Sequence, residues 1–478
     1  MLLLNEILCY YMFNCFHVKY DVKRKKEKRK KTKTKEDGKM KKVVKFGGSS
    51  LADAKQFKKV ADIIHADETR QYVVPSAPGK RFSADTKVTD MLLMTYEHAA
   101  KGEDIHKDLM DIKARYDEII TGLGLDFSLD QDFVEIEEEL KKNPNQDFAA
   151  SRGEFLNGKV MAKYLGYSFI DAKEVIFFDE DGNLDSHKTN KVLKARLDEL
   201  ERAVIPGFYG CDAEGHVKTF SRGGSDITGS IVAGASNADV YENWTDVSGF
   251  LVADPRIIDN PAGIKTLTYR ELRELSYMGA SVLHEDAIFP VRSAGIPINI
   301  KNTNAPEDEG TWIVESTGQR PEFTITGIAG KKGFCAVDVT KSLMNSEIGF
   351  GRKVLQAFEE NGINFEHMPS GIDTMTVVVN QDEFLQKEQS IVSTIHRLAK
   401  PDAVDIESDL ALIAVVGRGM RCTRGTAGRI FSALSHARVN VRMIDQGSSE
   451  LNIIIGVEND DFDVAVKAIY DIFVETQF

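Results

Sequence analysis

Cysteine, tryptophan and proline are scarce in this chain, with 5, 2 and 12 copies among 478 residues. Cys9, Cys15, Cys211, Cys335 and Cys422 lie far apart, are odd in number and form no CxxC pair. That spacing excludes a disulfide framework and a cysteine-built zinc site, and it points to a reducing, cytosolic setting. Positive charge is also in deficit. The net charge of −13 and pI near 5.4 argue against nucleic acid as a partner, because such a surface needs a basic face. A membrane partner is equally disfavoured. The most apolar stretch, residues 1–18, is broken by Asn5, Glu6 and Asn14, and its basic residues follow it instead of preceding it, so it fits neither a signal peptide nor a spanning helix of ~20 apolar residues. The Walker pattern GxxxxGK[ST] is missing, so any nucleotide phosphate must be held by another loop.

What is present starts with a break in composition. Residues 1–40 hold 12 of the 61 Lys and Arg but 5 of the 74 Asp and Glu, so the other 438 residues carry a net charge of −20. Residues 1–40 read as a basic N-terminal extension, either a solvated or non-native tail or an arm for an anionic surface. We expect residues 1–39 to be dispensable, since Met40 directly precedes the first strand pattern. The remainder is long enough for two or three domains with ordinary cores.

From residue 41 a strand (Val43, Val44, Phe46) meets Gly47-Gly48, and a helical repeat follows at Phe57, Val60, Ala61 and Ile64. Ser50 and Asp53 supply a helix-start signature, so backbone N–H groups there face the strand end and Lys45. An anion site and a plain βα turn with an incidental lysine explain this segment equally well. Further strands are expected at 71–80, 168–179, 203–210, 239–250 and 296–302, alternating with helices, which predicts a layered α/β sheet. Ligands collect at the carboxyl ends of such strands, where Lys45, Ser76, Phe208, Thr245 and Asp246 fall. The heptad "FSRGGSD" (220–226) adds an Arg, two Gly, a Ser and an Asp in one turn before a helix of small residues.

The series "KFGGSS", "SAPGK", "SRGEFLNG", "VIPGFYG", "FSRGGSD", "ENWTDVSGFLVADPR" and "ELSYMGASVLHE", in this order, resembles aspartate kinase of the amino-acid-kinase superfamily. The resemblance implies a three-layer α/β/α catalytic domain over 41–317. It implies transfer of the γ-phosphoryl of ATP, used with Mg2+, to the β-carboxylate of L-aspartate, a first step toward lysine, threonine and methionine. By the same resemblance Lys45 and Asp226 are catalytic. Ser76, Thr89, Glu154, Phe208, Arg222 and Ser225 bind aspartate, with Arg222 on its α-carboxylate and Glu154 on its α-ammonium. Lys45, Phe46, Gly47, Gly48, Thr245, Asp246 and Arg256 meet the nucleotide, although an Asp-Pro-Arg turn also serves simply to cap a strand. Such chemistry demands positioning and charge neutralisation and no general base, because a carboxylate of pKa about 3.9 is already ionised. No resident metal site is read. One departure stands out: relatives carry a lysine where this chain has Ser281.

After residue 317 a shorter pattern occurs twice, "FCAVDVTKS…TMTVVVN" and "ALIAVVGRG…LNIIIGV". Both copies resemble ACT modules, βαββαβ units that bind amino acids where modules pair. We expect module 1 at 323–409 and module 2 at 410–478. The second copy lacks a closing strand, so the surplus strand 323–329 is expected to complete it, with module 1 inserted into module 2. The resemblance implies feedback by L-lysine, alone or with L-threonine, at Met344, Gly349, Phe350, Phe365, Glu366 and Ser370. It also implies a homodimer or a dimer of dimers through the ACT modules. Phe350 at a helix start has a competing reading as core. The alternatives are a kinase for another small acid and a non-catalytic ACT sensor.

Overall fold

A computed structural model describes residues 40–221, 223–280, 283, 288–318 and 322–476. The expectation for residues 1–39 lies outside the described residues.

The catalytic sheet is built from β1 (Lys42–Phe46), β2 (Arg70–Pro75), β3 (Ser168–Phe169), β4 (Ala203–Val204), β7 (Val240–Thr245), β8 (Thr266–Thr268), β9 (Ile298–Asn302) and β10 (Thr311–Val314), while β5 (Tyr209–Cys211) and β6 (Val217–Thr219) form a separate hairpin. Its order is β3-β4-β2-β1-β7-β9-β10-β8, parallel except that β10 runs antiparallel to β9. The period of two along a strand explains the layers. Val43, Tyr72 and Val74 point to one face, against helix Gly224–Ser236. Val44, Phe46 and Val73 point to the other, against helices Ala54–His65, His106–Leu123 and Gln146–Leu165. Both faces are dry, which is why these strands read as continuous apolar runs.

Several expectations need correction: the strand expected at 203–210 divides between β4 in the catalytic sheet and β5 in the hairpin, and the one expected at 323–329 begins only at Gly327. Residues 168–179 were expected as one strand, but β3 has two residues and is followed by the short helix Ala172–Val175 and isolated bridges at Phe177 and Phe178. Asp171 caps that helix by accepting from the Lys173 N–H, which turns the chain out of the sheet. At the first βα turn the cap is Asp53, accepting from Gln56 N–H at 2.9 Å. Ser50 instead lies in a 3-10 turn, Gly48–Leu51, and its hydroxyl meets Thr303 at 2.8 Å.

The C-terminal sheet contains β11 (Gly327–Thr340), β12 (Phe365–His367), β13 (Thr374–Asn380), β14 (Ala403–Val416), β15 (Met443–Asp445) and β16 (Asn452–Glu458) in the order β12-β13-β11-β14-β16-β15. β11 and β14 are long and run past both modules. Residues 327–332 pair with 411–416, whereas 334–340 pair with β13 and, on β14, Phe334 with Leu410 and 336–340 with 403–407. The register shifts between, where Gly333 adopts φ 91°. Module 1 has its own core around Val337, Phe358, Val377 and Ile391. The core of module 2, including Ile328, Leu412 and Ile455, is continuous with that of the catalytic layer.

A buried carboxylate ties the two together. Glu271, in the first turn of helix Tyr269–Tyr277, is fully buried and accepts from Thr326 Oγ1 at 2.5 Å and from Arg418 Nη1 and N, each at 2.9 Å. Burial opposes its charge, but these donors and Thr268 outweigh it and hold the carboxyl below its ordinary range. Removing one member of such a pair leaves the other buried and uncompensated. Glu271→Ala is therefore expected to destabilise the protein by about 3–5 kcal/mol, read by urea melts, and Glu271→Gln by less.

Candidate active site

Strand alternation aims Lys45 the same way as Val43, toward helix Gly224–Ser236, but at the carboxyl end of β1, where the layer opens. Its Nζ lies 2.6 Å from Asp226 Oδ1, in the first turn of that helix. Lys45 is 8% exposed. Asn243, the register partner of Lys45 on β7, donates from Nδ2 to the same oxygen at 2.8 Å. Asp226 is thus gripped by two neighbouring strands, and its grip fixes the ammonium at the head of a 13-residue helix. Helix N–H groups and macrodipole favour negative charge there.

Four loops converge on this point. Gly79 N–H donates to Gly48 O at 2.8 Å, and Ser76 N–H donates to Phe46 O at 3.0 Å. The Gly48 and Gly79 loops touch so closely that a Cβ on Gly48 would sit 2.8 Å from Ala77 O. Gly48→Ala must push the loops apart and is expected to cost about 1–3 kcal/mol with a weakened nucleotide KM, measurable by melting and by kinetics. On the other side, a Cβ on Gly207 would lie 2.5 Å from Ser225 Oγ, and one on Gly224 would lie 2.5 Å from the Phe208 ring. Phe208 itself has φ 81°, a left-handed conformation costing about 1–2 kcal/mol. It is held by donating its N–H to Thr228 Oγ1 and accepting from Phe220 N–H.

One expected donor is used elsewhere. Gly47 N–H donates to Trp244 O at 3.0 Å, so it cannot also serve a phosphate, and the amide of Gly48 heads the 3-10 turn in its place. Gly47 still borders the ammonium, with its Cβ position 3.7 Å from Lys45 Nζ.

Across from Lys45, Glu154 projects from helix Gln146–Leu165 and is 5% exposed. Burial pushes its carboxyl up to about 8, against weaker opposing pulls from hydrogen bonds with Ala77 and its own backbone and from the charge of Lys45. Its Oε2 has no partner. Asn157, one turn on, donates to Ser76 O at 2.6 Å, and its Oδ1 is likewise unpartnered. These are acceptors in want of a cation or donor. Thr89 is half-buried at the start of helix Val88–Ala100, which begins where Val88 N–H meets Pro78 O.

Residues 40–302 match the amino acid kinase family and residues 413–473 match an ACT domain. The chain is 42% identical to Aspartokinase 3 of Bacillus subtilis over 90% of its own length and 98% of that protein's. The chain belongs to the aspartokinase family. It is 29% identical to chloroplastic Aspartokinase 1 of Arabidopsis thaliana, covering 91% of this chain and 80% of that one. Among solved structures, aspartate kinase of Clostridium acetobutylicum superposes with TM-score 0.83 at 51% identity, over 91% of this chain and all (100%) of the other. E. coli aspartokinase III superposes with TM-score 0.69 at 23% identity, over 90% and 99%, and shares the fold.

Within this aspartokinase scaffold the described contacts bring Lys45, Phe46, Gly47, Gly48, Ser76, Glu154, Phe208, Ser225 and Asp226 together. Thr245 and Asp246 follow at the end of β7, with Thr245 Oγ1 donating to Asp246 Oδ1 at 3.2 Å. Arg256 is not joined to them by any described contact. Its side chain is 86% exposed and is held by Asp254 at 2.6 Å, on the rim of a 250 Å³ cavity that also touches Met278 and Phe462. Arg222 and Ser281 lie outside the described residues. Asn243 and Asn157 escaped the sequence reading. The only signal was a polar residue inside an otherwise apolar strand or helix face.

In the first ACT module, Met344 is buried and Phe350 is 3% exposed, with the Lys341 ammonium 5.4 Å over its ring, so Phe350 serves the core. Gly349 takes φ 81° before helix Phe350–Glu360. Glu366 is half-buried on β12, and Phe365 and Ser370 are exposed. No helix among the described residues is long and apolar enough to cross a membrane.

Proposed function

We propose that this site performs the aspartokinase reaction as follows: MgATP places its γ-phosphoryl between Lys45 and the amino end of helix Gly224–Ser236, and the β-carboxylate of L-aspartate attacks it to give 4-phospho-L-aspartate and ADP. The observation that carries the reading is the Lys45–Asp226–Asn243 grip together with a buried Glu154 whose Oε2 has no partner. Lys45 neutralises charge on the transferring group, and Asp226 holds the ammonium in place so that no reorganisation is needed during transfer. Glu154, with Ser76 and Thr89 beside it, takes the α-ammonium, Arg222 the α-carboxylate, and Ser225 and Phe208 close the pocket. Thr245, Asp246 and Arg256 complete the nucleotide side. The magnesium is carried on the nucleotide phosphates. Crystals of E. coli aspartokinase III with aspartate and ADP hold the same pair of ligand classes. The test is coupled ADP release with L-aspartate, L-glutamate and N-acetyl-L-glutamate offered separately. Turnover with L-aspartate alone is expected, and turnover with either other acid at equal kcat/KM would refute the assignment.

We read the first ACT module as inserted into the second, supported by the pairing of 327–332 with 411–416. The effector is L-lysine, a ligand also seen in E. coli aspartokinase III, seated by Met344, Gly349, Phe365, Glu366 and Ser370. Leu343, Ile348, Phe365 and Ile372 are 73%, 98%, 45% and 70% exposed in the same module, and an apolar group of that kind suits a second copy of the module. The free cysteines Cys211, Cys335 and Cys422 suit a cytoplasmic location. Lysine at millimolar level is expected to inhibit wild type and to inhibit Glu366→Ala less, with threonine as the second titrant. Untouched wild-type activity, or equal inhibition of the variant, would remove the site from module 1.

A further inference from the structure

A cleft of about 800 Å³ lies between helix Tyr269–Tyr277 of the catalytic layer and the loops of module 2, far in sequence from the phosphate-binding turn. Arg270, Arg273, Arg292, Arg418 and Arg421 converge on it, in a chain whose net charge is −13. Its carboxylates are largely engaged. Glu274 accepts from Asn452 at 2.6 Å, and Glu315 lies 3.4 Å from Arg292, leaving Glu450 on the rim. Arg418 spends Nη1 and its backbone N–H on buried Glu271, but its Nε is enclosed and has no acceptor. Arg270 and Arg421 are exposed and make no ion pair among the described residues. Hydroxyls of Ser316 and Ser449 complete the wall.

Guanidinium forks converging on one cleft, with spare donors on Arg270, Arg418 and Arg421, match phosphate or carboxylate oxygens, and a cleft of this size holds a metabolite. We propose that this cleft is a second ligand site, for a small multivalent anion, a phosphate ester or a polycarboxylate, that bridges the catalytic layer and module 2. Two loose positive charges at opposite walls, Arg270 on the helix and Arg421 on the module, would both close on one such anion. Because both walls contribute, the anion favours whichever arrangement keeps the helix and the module in contact, and so acts on the same joint as Glu271.

The test is isothermal titration calorimetry of the full chain with pyrophosphate and, separately, with citrate, against sodium chloride at matched ionic strength. The variants are Arg270→Ala/Arg421→Ala and Lys45→Ala. Saturable binding is expected that Lys45→Ala retains and that the double variant weakens by at least ~10-fold, the loss of two charge-assisted contacts. Preference between pyrophosphate and citrate identifies the class of anion. The absence of saturable binding above the chloride control, or an unchanged Kd in the double variant, overturns the proposal. So does binding that disappears with Lys45→Ala alone, since it would then belong to the phosphate turn. Both arginines are exposed, so the double variant is expected to keep the melting temperature of wild type without added anion.

Discussion

Lys45→Ala is expected to lower kcat by at least ~100-fold, the scale of a lost preorganised charge, with a much smaller change in the KM for aspartate. The reason lies in how the ammonium is held. Its one described partner is Asp226 at 2.6 Å, Asp226 is in turn fixed by Asn243 at 2.8 Å, and the group sits at the amino end of a helix. Asp226→Ala should cost as much in kcat, since the lysine loses its aim, and more in stability, because it strands an ammonium that is 8% exposed. The double variant should be hardly worse than either single one, as expected of residues acting as a unit. Asn243→Ala, which loosens Asp226 without removing charge, should lose less. Arg222→Ala, by contrast, should act mainly on the KM for aspartate. Steady-state kinetics on this set decides the matter, and equal, small losses across all of them would place the chemistry elsewhere.

Affinity for aspartate is expected to rise steeply with pH up to about 8, where Glu154 loses its proton in the free protein. Burial, the main cause, keeps the carboxyl neutral below that pH, while the substrate ammonium needs it charged. Binding below pH 8 must therefore release a proton, which calorimetry in buffers of different ionisation heat will detect. Glu154→Gln should raise the KM for aspartate by at least ~10-fold and flatten its pH dependence, because the amide cannot ionise. The sign for folding is the opposite of the usual carboxylate case. The folded pKa is raised, so the stabilisation from this group is complete below the unfolded value near ~4.3 and is lost as pH climbs toward 8, at about 1.4 kcal/mol per unit in between. Glu154→Gln should therefore stabilise the unliganded protein at pH 8 relative to wild type. A pH-independent KM in wild type would show that Glu154 is already ionised and paired.

Much of this protein was legible from residue order. The βα alternation, the glycine turns and the duplicated C-terminal pattern follow from local periodicity and short motifs that keep their meaning wherever the chain goes, whereas Lys45 and Asp226 were singled out as catalytic through the family resemblance of the motifs that hold them. Phe350 shows the boundary within a single residue: its place at a helix start was readable, yet only packing shows that its ring belongs to the module core. The short strand at Ser168–Phe169 shows another limit, since a capping aspartate two residues on redirected a run that composition alone reads as continuous.

What tertiary structure decided are the pairings between residues far apart in sequence. Asn243 became part of the site because parallel register sets it beside Lys45, and Gly47 lost its amide to Trp244 for the same reason. The pKa of Glu154 depends on how completely the segments packed around it exclude water, which no spacing encodes. Glu271 and Arg418, 147 positions apart, meet only because the second ACT module shares a core with the catalytic layer. Local sequence sets the direction in which a side chain leaves the backbone, whereas register, burial and the arrival of distant segments set what it meets there, and charge, proton affinity and coupling are properties of that meeting.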